Sequence, residues 1–335
     1  CPGAGQAARA MLAYLIRRLG QAALVMAVMA TIVFFGLYTV GNPIDLLINP
    51  EDDLAAQEAA MRRLGLDQPI WVQFGHFVGG IFEGDLGTSF VHNRPALELI
   101  LSRLPATLEL VFFAMLLAVL IGVPLGMIAG LRPDAPSSKA IMAASILGFS
   151  IPNFWQGLML IMLFAVYWGI LPAGGRGDTV DVLGIPVSFL TWDGLKHLFL
   201  PALNLAIFKM SLVIRLARAG TAEVALQDYV KYARARGLSP SRVIGVHVLK
   251  NILIPVVTVL GLETGNAIAF AVVTETVFAW PGIGKLLIDS INLLDRPVVV
   301  AYLMLTVFMF VMINFLVDIG YSLLDPRVRI QARGR

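Results

Sequence analysis

The sequence has few charged residues and a single cysteine. Charged side chains make up 14% of the 335 residues and hydrophobic ones 58%, whereas an ordinary soluble domain carries about 25% charged residues. This deficit excludes an ordinary soluble domain and predicts an all-α membrane protein. Because Cys1 has no second cysteine in the chain, it forms no internal disulfide, and the sequence indicates no redox compartment.

Motifs of catalysis and metal binding are also missing. The sequence contains no G-x-x-x-x-G-K-[ST] loop for nucleotide phosphates, no H-E-x-x-H and no G-x-S-x-G. Its four histidines have no metal-ligand spacing, and a net charge of +3 indicates no nucleic-acid partner. We therefore predict no catalytic residue, no metal and no cofactor in this chain. We expect the glycine cluster AGGRGD, residues 173–178, to be a plain loop.

Six long apolar segments are present, each near or above the roughly 20 residues needed to cross a bilayer. They are residues 14–40, 104–130, 139–171, 196–217, 251–279 and 298–324. Pro201 and Lys209 interrupt the fourth segment, which predicts a broken or tilted helix there. Residues 1–10 lack the order of parts of a signal peptide, and we expect them to be a non-native or mis-assigned leader.

The basic residues predict how the spans are oriented. Lysine and arginine are concentrated in the N-terminal flank, in the loops after the second and fourth segments, and in the tail, whereas residues 41–100 hold nine acids and three arginines. Short cytoplasmic loops are enriched in Lys and Arg, so we predict six spans with cytoplasmic N- and C-termini. The predicted organisation is a first transmembrane helix (11–40), an extracytoplasmic region (41–103), a five-helix core (104–330) with a cytoplasmic loop (218–250), and a tail (331–335).

Polar side chains within the spans are the first candidates for a functional site, because a polar group in lipid is costly. We predict that a path for a polar solute is lined by Asn153, Glu263, Asn266 and Glu275. Glu263 and Asn266 lie three residues apart on one helix face. The alternative is hydrogen bonding or ion pairing between helices. Further polar residues in or near the spans are Glu109, Gln156, Asn204, Asn314 and Asp318.

The basic stretch 228–242, DYVKYARARGLSPSR, predicts two short helices joined by a sharp turn. We expect a helix over 219–236 that ends at Gly237, since glycine can adopt the left-handed conformation of a C-terminal cap. Ser239 and Pro240 suit the N-cap and first position of a second helix. We interpret the element as a docking site for a cytoplasmic protein; contact with lipid headgroups under the positive-inside rule is the alternative. The candidate contact residues are Tyr229, Tyr232, Ala233, Arg236, Gly237, Ser239 and Pro240.

The longer stretch DYVKYARARGLSPSRVIGVHVLKNILIP closely resembles the cytoplasmic coupling motif E-A-A-x3-G-x9-I-x-L-P of ATP-binding-cassette importer permeases. Lys231, Tyr232 and Ala233 stand at the E-A-A positions, Gly237 at the glycine, and residues 247–250 at I-x-L-P. The departures at the glutamate and the final proline look like the dipeptide, oligopeptide and nickel branch, where the form DYV-x-x-ARA-x-GL is usual.

Five other stretches match the same branch, and together the resemblance covers nearly all of residues 11–330. It looks closest to the first of the two permease subunits of a dipeptide-type importer. The stretches are GDLGTSF (84–90), RLPATLEL (103–110), SIPNFWQGLML (150–160), TETVFAWPGIGKLL (274–287) and DPRVR (325–329).

This resemblance implies a multi-subunit transporter of the bacterial inner membrane in which the chain is a non-catalytic subunit. It implies a second, homologous permease, two cytoplasmic P-loop ATPases that bind ATP and Mg²⁺, and an extracytoplasmic substrate-binding protein, with membrane lipid around the spans. The helix pair around Gly237 would seat on an ATPase and tilt the fourth and fifth spans. Dipeptides or oligopeptides are the expected substrates, with glutathione, nickel chelates and haem left open.

Two other functions stay open on the sequence. A stand-alone carrier or channel would use Glu263 or Glu275 as a proton or ion site, but the two halves of the chain show no inverted repeat to favour it. A membrane-embedded signalling or assembly protein would suit the long region 41–103 but leaves the coupling motif unexplained.

Overall fold

The computed structural model describes the backbone of residues 4–37, 62 and 67–324, and the side chains of residues 17, 20–36, 62 and 67–315. Its helices are α1 (Ala4–Leu37), α2 (Ile70–Glu83), α3 (Ala96–Leu131), α4 (Pro136–Ser150), α5 (Asn153–Leu160), α6 (Trp192–Ala225), α7 (Asp228–Ala235), α8 (Pro240–Arg242), α9 (Leu249–Val277), α10 (Ile283–Asn292) and α11 (Arg296–Leu324). Two π-helical segments extend this set, Ile161–Tyr167 after α5 and Val243–Val248 between α8 and α9. The helical fold class is confirmed, with one short antiparallel hairpin added, β1 (Val180–Val182) and β2 (Ile185–Val187).

The apolar segments predicted from the sequence all fall on helices. Among the described residues, four helices are long and apolar enough to cross a membrane: α3, α6, the continuous Pro240–Val277, and Arg296–Phe315 within α11. Helices α4 and α5 make a fifth span if they are taken together, and a shorter apolar stretch, Gly20–Gly36, lies in α1. The count of six spans and the cytoplasmic termini stay predictions. The predicted tail, the motif DPRVR and residues 38–61 of the first span and outer region lie outside the described residues.

The third predicted span, 139–171, is not one straight helix. Pro136–Ser150 and Asn153–Tyr167 meet at an angle of 108°. Ile151 is extended, with φ −79° and ψ 130°, because a following proline disfavours the helical conformation in the residue before it. Pro152 therefore places the bend inside the stretch SIPNFWQ.

Two expectations about α6 were not met in full: no break occurs in it, although the alternative of a tilted helix stays a prediction, and it does not reach residue 236. It runs without interruption through Pro201, since membrane helices tolerate an internal proline when neighbouring groups satisfy the freed carbonyl. The single helix expected over 219–236 is divided, because α6 ends at Ala225 and the next helix begins at Asp228. Gln227 between them is extended, with ψ 146°, and the acidic Asp228 in the first turn of α7 favours a new helix N-terminus there.

The chain forms two compact units, one of Cys1–Arg103 with Leu286–Leu316 and the other of Leu104–Lys285 with Val317–Arg335. In the first unit, α1 and α11 contribute the buried residues Ala30, Val33, Val300 and Met304 to one apolar core. In the second unit, α3, α6, α9 and the π-helical segment before α9 share a buried core of Ala118, Val123, Met127, Val213, Ala217, Val248, Ile252, Val256 and Leu260. The candidate sites below lie in the second unit.

Candidate coupling surface and buried polar network

The turn after α7 has the geometry that its glycine predicts. Gly237 has φ +75°, and its N–H donates to the carbonyl of Arg234 at 2.9 Å. The N–H of Leu238 donates to the carbonyl of Ala233 at 3.3 Å, so the last carbonyls of α7 are satisfied by a left-handed cap. The predicted stop of the helix at Gly237 is confirmed.

The second helix starts where it was expected but without the expected side-chain cap. Ser239 has an extended backbone, with φ −61° and ψ 146°, and Pro240 is the first residue of α8. No side-chain hydrogen bond from Ser239 caps the helix; its hydroxyl lies 3.3 Å from the hydroxyl of Ser241. Backbone geometry and the fixed φ of proline therefore start this helix.

Helix α7 buries one face and leaves another exposed. Val230 and Ala233 are buried and pack with Val243 in a small apolar cluster. Tyr229 and Tyr232 are 44% and 64% exposed. The predicted contact face is therefore divided: Ala233 packs inward and supports the helix, whereas the tyrosines point outward.

Arg236 belongs to the exposed face. Its guanidinium lies 5.7 Å from the centre of the Tyr232 ring, a distance at which a cation is attracted to an aromatic face. We call the surface formed by Tyr229, Tyr232 and Arg236 the coupling surface.

A fully buried carboxylate joins two of the motifs found in the sequence, RLPATLEL and TETVFAWPGIGKLL. Glu275 accepts a hydrogen bond from the hydroxyl of Thr107 at 2.5 Å. It also accepts from the backbone N–H groups of Gly284 and Lys285, at 2.7 and 3.0 Å. The hydroxyl of Thr107 in turn accepts from the N–H of Ile283 at 2.9 Å. In this structure the carboxylate of Glu275 is enclosed and holds the loop after α9 against α3. Its role as a path residue stays a prediction.

The stretch AGGRGD does more than form a plain loop. Arg176 makes an ion pair with Glu109, with Nη2 2.6 Å from Oε2, and the two side chains are only 11% and 4% exposed. The other carboxylate oxygen of Glu109 accepts from the N–H and the hydroxyl of Ser188 and from the N–H of Phe189, each at 2.8 Å. The sequence did not reveal this network, because Arg176 and Glu109 lie 67 residues apart.

Asn153, another predicted path residue, belongs to a hydrogen-bonded cluster between helices. Asn204 donates through Nδ2 to Oδ1 of Asn153 and, at 3.1 Å, to the hydroxyl of Thr274. Asn204 is fully buried, and its own Oδ1 has no hydrogen-bond donor among the described residues. The alternative interpretation of the polar residues, bonding between helices, fits Asn153.

Glu263 and Asn266, the remaining predicted path residues, are brought together. Asn266 Nδ2 is 3.4 Å from Glu263 Oε1, and Lys209 Nζ is 2.5 Å from Glu263 Oε2. Lys209 was predicted only as an interruption of the fourth span, and its role as the partner of Glu263 was missed. The four predicted path residues therefore occupy three separate networks.

The chain is similar to transport proteins along nearly its whole length. Residues 122–330 match the family described as binding-protein-dependent transport system inner membrane component, and residues 11–111 match the N-terminal family of the same membrane components. The chain is 40% identical to the di/tripeptide transport system permease protein DppB of Pseudomonas aeruginosa, over 96% of this chain and 100% of that protein. It is 35% identical to the dipeptide transport system permease protein DppB of Escherichia coli, over 95% of this chain and 99% of that protein.

A solved structure shares the fold. An inward-facing conformation of the MetNI methionine ABC transporter matches with a TM-score of 0.51 and 16% identity, over 70% of this chain and 96% of the matched chain. At this identity the likeness shows the fold alone, which is that of an importer permease.

Proposed function

Because the chain belongs to the family of binding-protein-dependent transport system inner membrane components, we propose that it is the permease subunit of an ATP-driven importer of dipeptides or oligopeptides. The similarity to di/tripeptide and dipeptide permeases over 95% or more of the chain supports the substrate class. The family description and the long apolar helices support a multi-pass protein of the bacterial inner membrane.

The coupling surface is the observation that carries this proposal. Aromatic and arginine side chains are enriched where proteins bind each other, and here two tyrosines and Arg236 are exposed on a short helix whose opposite face is packed. We propose that a cytoplasmic ATPase binds this surface through Tyr229, Tyr232 and Arg236, with Ala233, Gly237, Ser239 and Pro240 fixing its shape.

The packing behind α7 offers a route for movement into the membrane. The buried Val230 and Ala233 contact Val224 near the end of α6, and Val243 in the segment that continues into α9. Because interiors are close-packed and transmit displacement, closure of the ATPases moves α7 and with it the ends of both spans. This movement switches the access of the path from the outside to the cytoplasm.

We propose the other components of the transporter from the family to which the chain belongs. Its sequence has no phosphate-binding loop, so we place ATP and Mg²⁺ on two P-loop ATPase subunits. A second, homologous permease completes the path, an extracytoplasmic binding protein delivers the peptide, and lipid surrounds the spans.

Co-purification from the native host tests this assignment. The tagged chain, extracted in mild detergent, should bring down a second permease and P-loop ATPases identified by mass spectrometry. The matched variant Arg236→Glu should keep the second permease and lose the ATPases, because it reverses the charge of the coupling surface. Recovery of the chain alone, under conditions that preserve another membrane complex, would favour a stand-alone carrier instead.

A further inference from the structure

An ion pair lies at the middle of two membrane spans. Lys209 is near the centre of α6 and Glu263 at the centre of α9, and their charged atoms are 2.5 Å apart. Asn266 contacts the second carboxylate oxygen of Glu263 at 3.4 Å. Both residues therefore lie within apolar helices that are candidate membrane spans, Trp192–Ala225 and Pro240–Val277, several turns from the ends of each.

The two charged side chains differ in solvent exposure. The side chain of Lys209 is 5% exposed, whereas that of Glu263 is 26% exposed. A carboxylate facing hydrocarbon at this depth would be costly, so the exposed edge of Glu263 faces water or a polar group. A water-filled path or a polar group of the second permease would meet this need, with Lys209 lying deeper in the protein than Glu263.

Stability alone does not account for the pair. Helices α6 and α9 already pack through buried apolar residues that include Val213, Ala217, Val256 and Leu260. Desolvation of the buried Lys209 and of the partly buried Glu263 offsets much of their attraction, and replacing a buried ion pair with apolar residues of similar volume is often neutral or stabilising.

We propose that Glu263 and Lys209 bind the two charged ends of a free peptide as it crosses the membrane; this inference rests on the proposed function. Glu263 receives the N-terminal ammonium, and Lys209 receives the C-terminal carboxylate once the pair opens. Without peptide the two side chains neutralise each other, so no unpaired charge is left within the spans. Both ends occur in every unmodified peptide, whatever its side chains, so one pair serves many sequences.

The test uses the complete importer in proteoliposomes, with the binding protein and ATP, and measures uptake of radiolabelled Ala-Ala. The neutral double variant Lys209→Met with Glu263→Gln should assemble and keep its thermal stability, while uptake falls at least about tenfold, the effect of losing about 1.4 kcal/mol of binding. Thr264→Val is the matched control in the same helix, because the Thr264 hydroxyl bonds to the carbonyl of Leu260 within α9. It should transport like the unchanged protein.

A reversed pair, Lys209→Glu with Glu263→Lys, separates binding of peptide ends from a structural role. It keeps the attraction between the helices and exchanges the places of the two charges. A peptide that enters in the same orientation as in the unchanged protein then meets a like charge at each end, so we expect a similar tenfold loss. Normal uptake by the reversed variant, or by an assembled neutral variant, would overturn the inference and leave the proposed function standing. If the neutral variant fails to assemble, the reversed variant decides. Absence of ATP-driven Ala-Ala uptake by the unchanged importer would overturn both.

Discussion

The hydroxyl of Thr107 lies 2.5 Å from the carboxylate of Glu275, and this contact joins segments 168 residues apart. Close by, the indole N–H of Trp280 donates to the carbonyl of Ala106 at 2.9 Å, and both Trp280 and Glu275 are fully buried. The loop that follows α9 is thus fixed to α3 by several buried hydrogen bonds.

Thr107→Val tests this link with little change of shape. The valine removes the donor to Glu275 and leaves the N–H of Ile283 without its present acceptor. Loss of a buried partner costs about 1–3 kcal/mol, so we expect a lower apparent Tm of the purified protein in detergent. Thr276→Val is the control, since the hydroxyl of Thr276 is exposed and bonds within α9 to Val272. Equal melting of both variants would contradict a structural role for the link.

Removing Arg176 should be more damaging than removing an exposed arginine. Arg176→Met leaves Glu109 charged and nearly buried, and breaking such a pair costs about 3–5 kcal/mol. Arg94 and Glu98 form an ion pair whose side chains are 53% and 56% exposed, so Arg94→Met should change the free energy of unfolding by less than about 1 kcal/mol. Thermal unfolding of the two variants in the same detergent measures the difference, and similar losses would contradict the importance of burial.

Gly237 should tolerate substitutions according to their backbone preference rather than their size. Among the described residues, no atom lies within 4 Å of the position that a Cβ would take, but φ is +75°. A left-handed backbone costs a non-glycine residue about 1–2 kcal/mol, with asparagine the best tolerated. We expect ATP-driven uptake to decrease from the unchanged protein through Gly237→Asn and Gly237→Ala to Gly237→Val. The Gly237→Val variant should insert in the membrane but be inactive. Gly245→Ala, where the site is also open and φ is not positive, should transport normally. Normal uptake by Gly237→Val would count against the coupling turn.

Tyr232→Ala should separate folding from coupling. Because Tyr232 is 64% exposed, its loss should alter stability by no more than about 0.5 kcal/mol. As an aromatic contact at an interface it should weaken ATPase binding by about 2 kcal/mol, or roughly 30-fold. Titration of the permease pair with purified ATPase measures this affinity. Lys139→Ala, an exposed change in the first turn of α4 and predicted to lie on the same side of the membrane, should bind normally. Unchanged binding by Tyr232→Ala would place the interface elsewhere.

Features set by local sequence were predicted well. Apolar length fixes where helices can cross lipid, so each apolar segment falls on a helix, and the capping preference of glycine located the end of α7 at Gly237. Local signals were less reliable where a proline lies within an apolar segment long enough to form a helix. A helix ends before Pro152 whereas α6 continues through Pro201, although both prolines lack a backbone N–H. The presence of a proline alone therefore did not decide between a bend and a continuous helix.

Partners distant in sequence could not be predicted. Lys209 and Glu263 lie 54 residues apart, and Glu109 and Arg176 lie 67 apart, so neither pair leaves a periodic or spaced pattern. Glu275 was assigned to a path because a carboxylate in a span suggests function. The backbone N–H groups that enclose it become neighbours only after α10 folds back, and this position depends on tertiary packing.

The most direct test of the importer is uptake of radiolabelled Ala-Ala by proteoliposomes that contain this chain, the second permease and both ATPases. Uptake against a concentration gradient should require both ATP and the binding protein, and it should stop when a non-hydrolysable nucleotide replaces ATP. Uptake by this chain alone, without nucleotide and without the other subunits, would contradict the importer and identify a self-sufficient carrier.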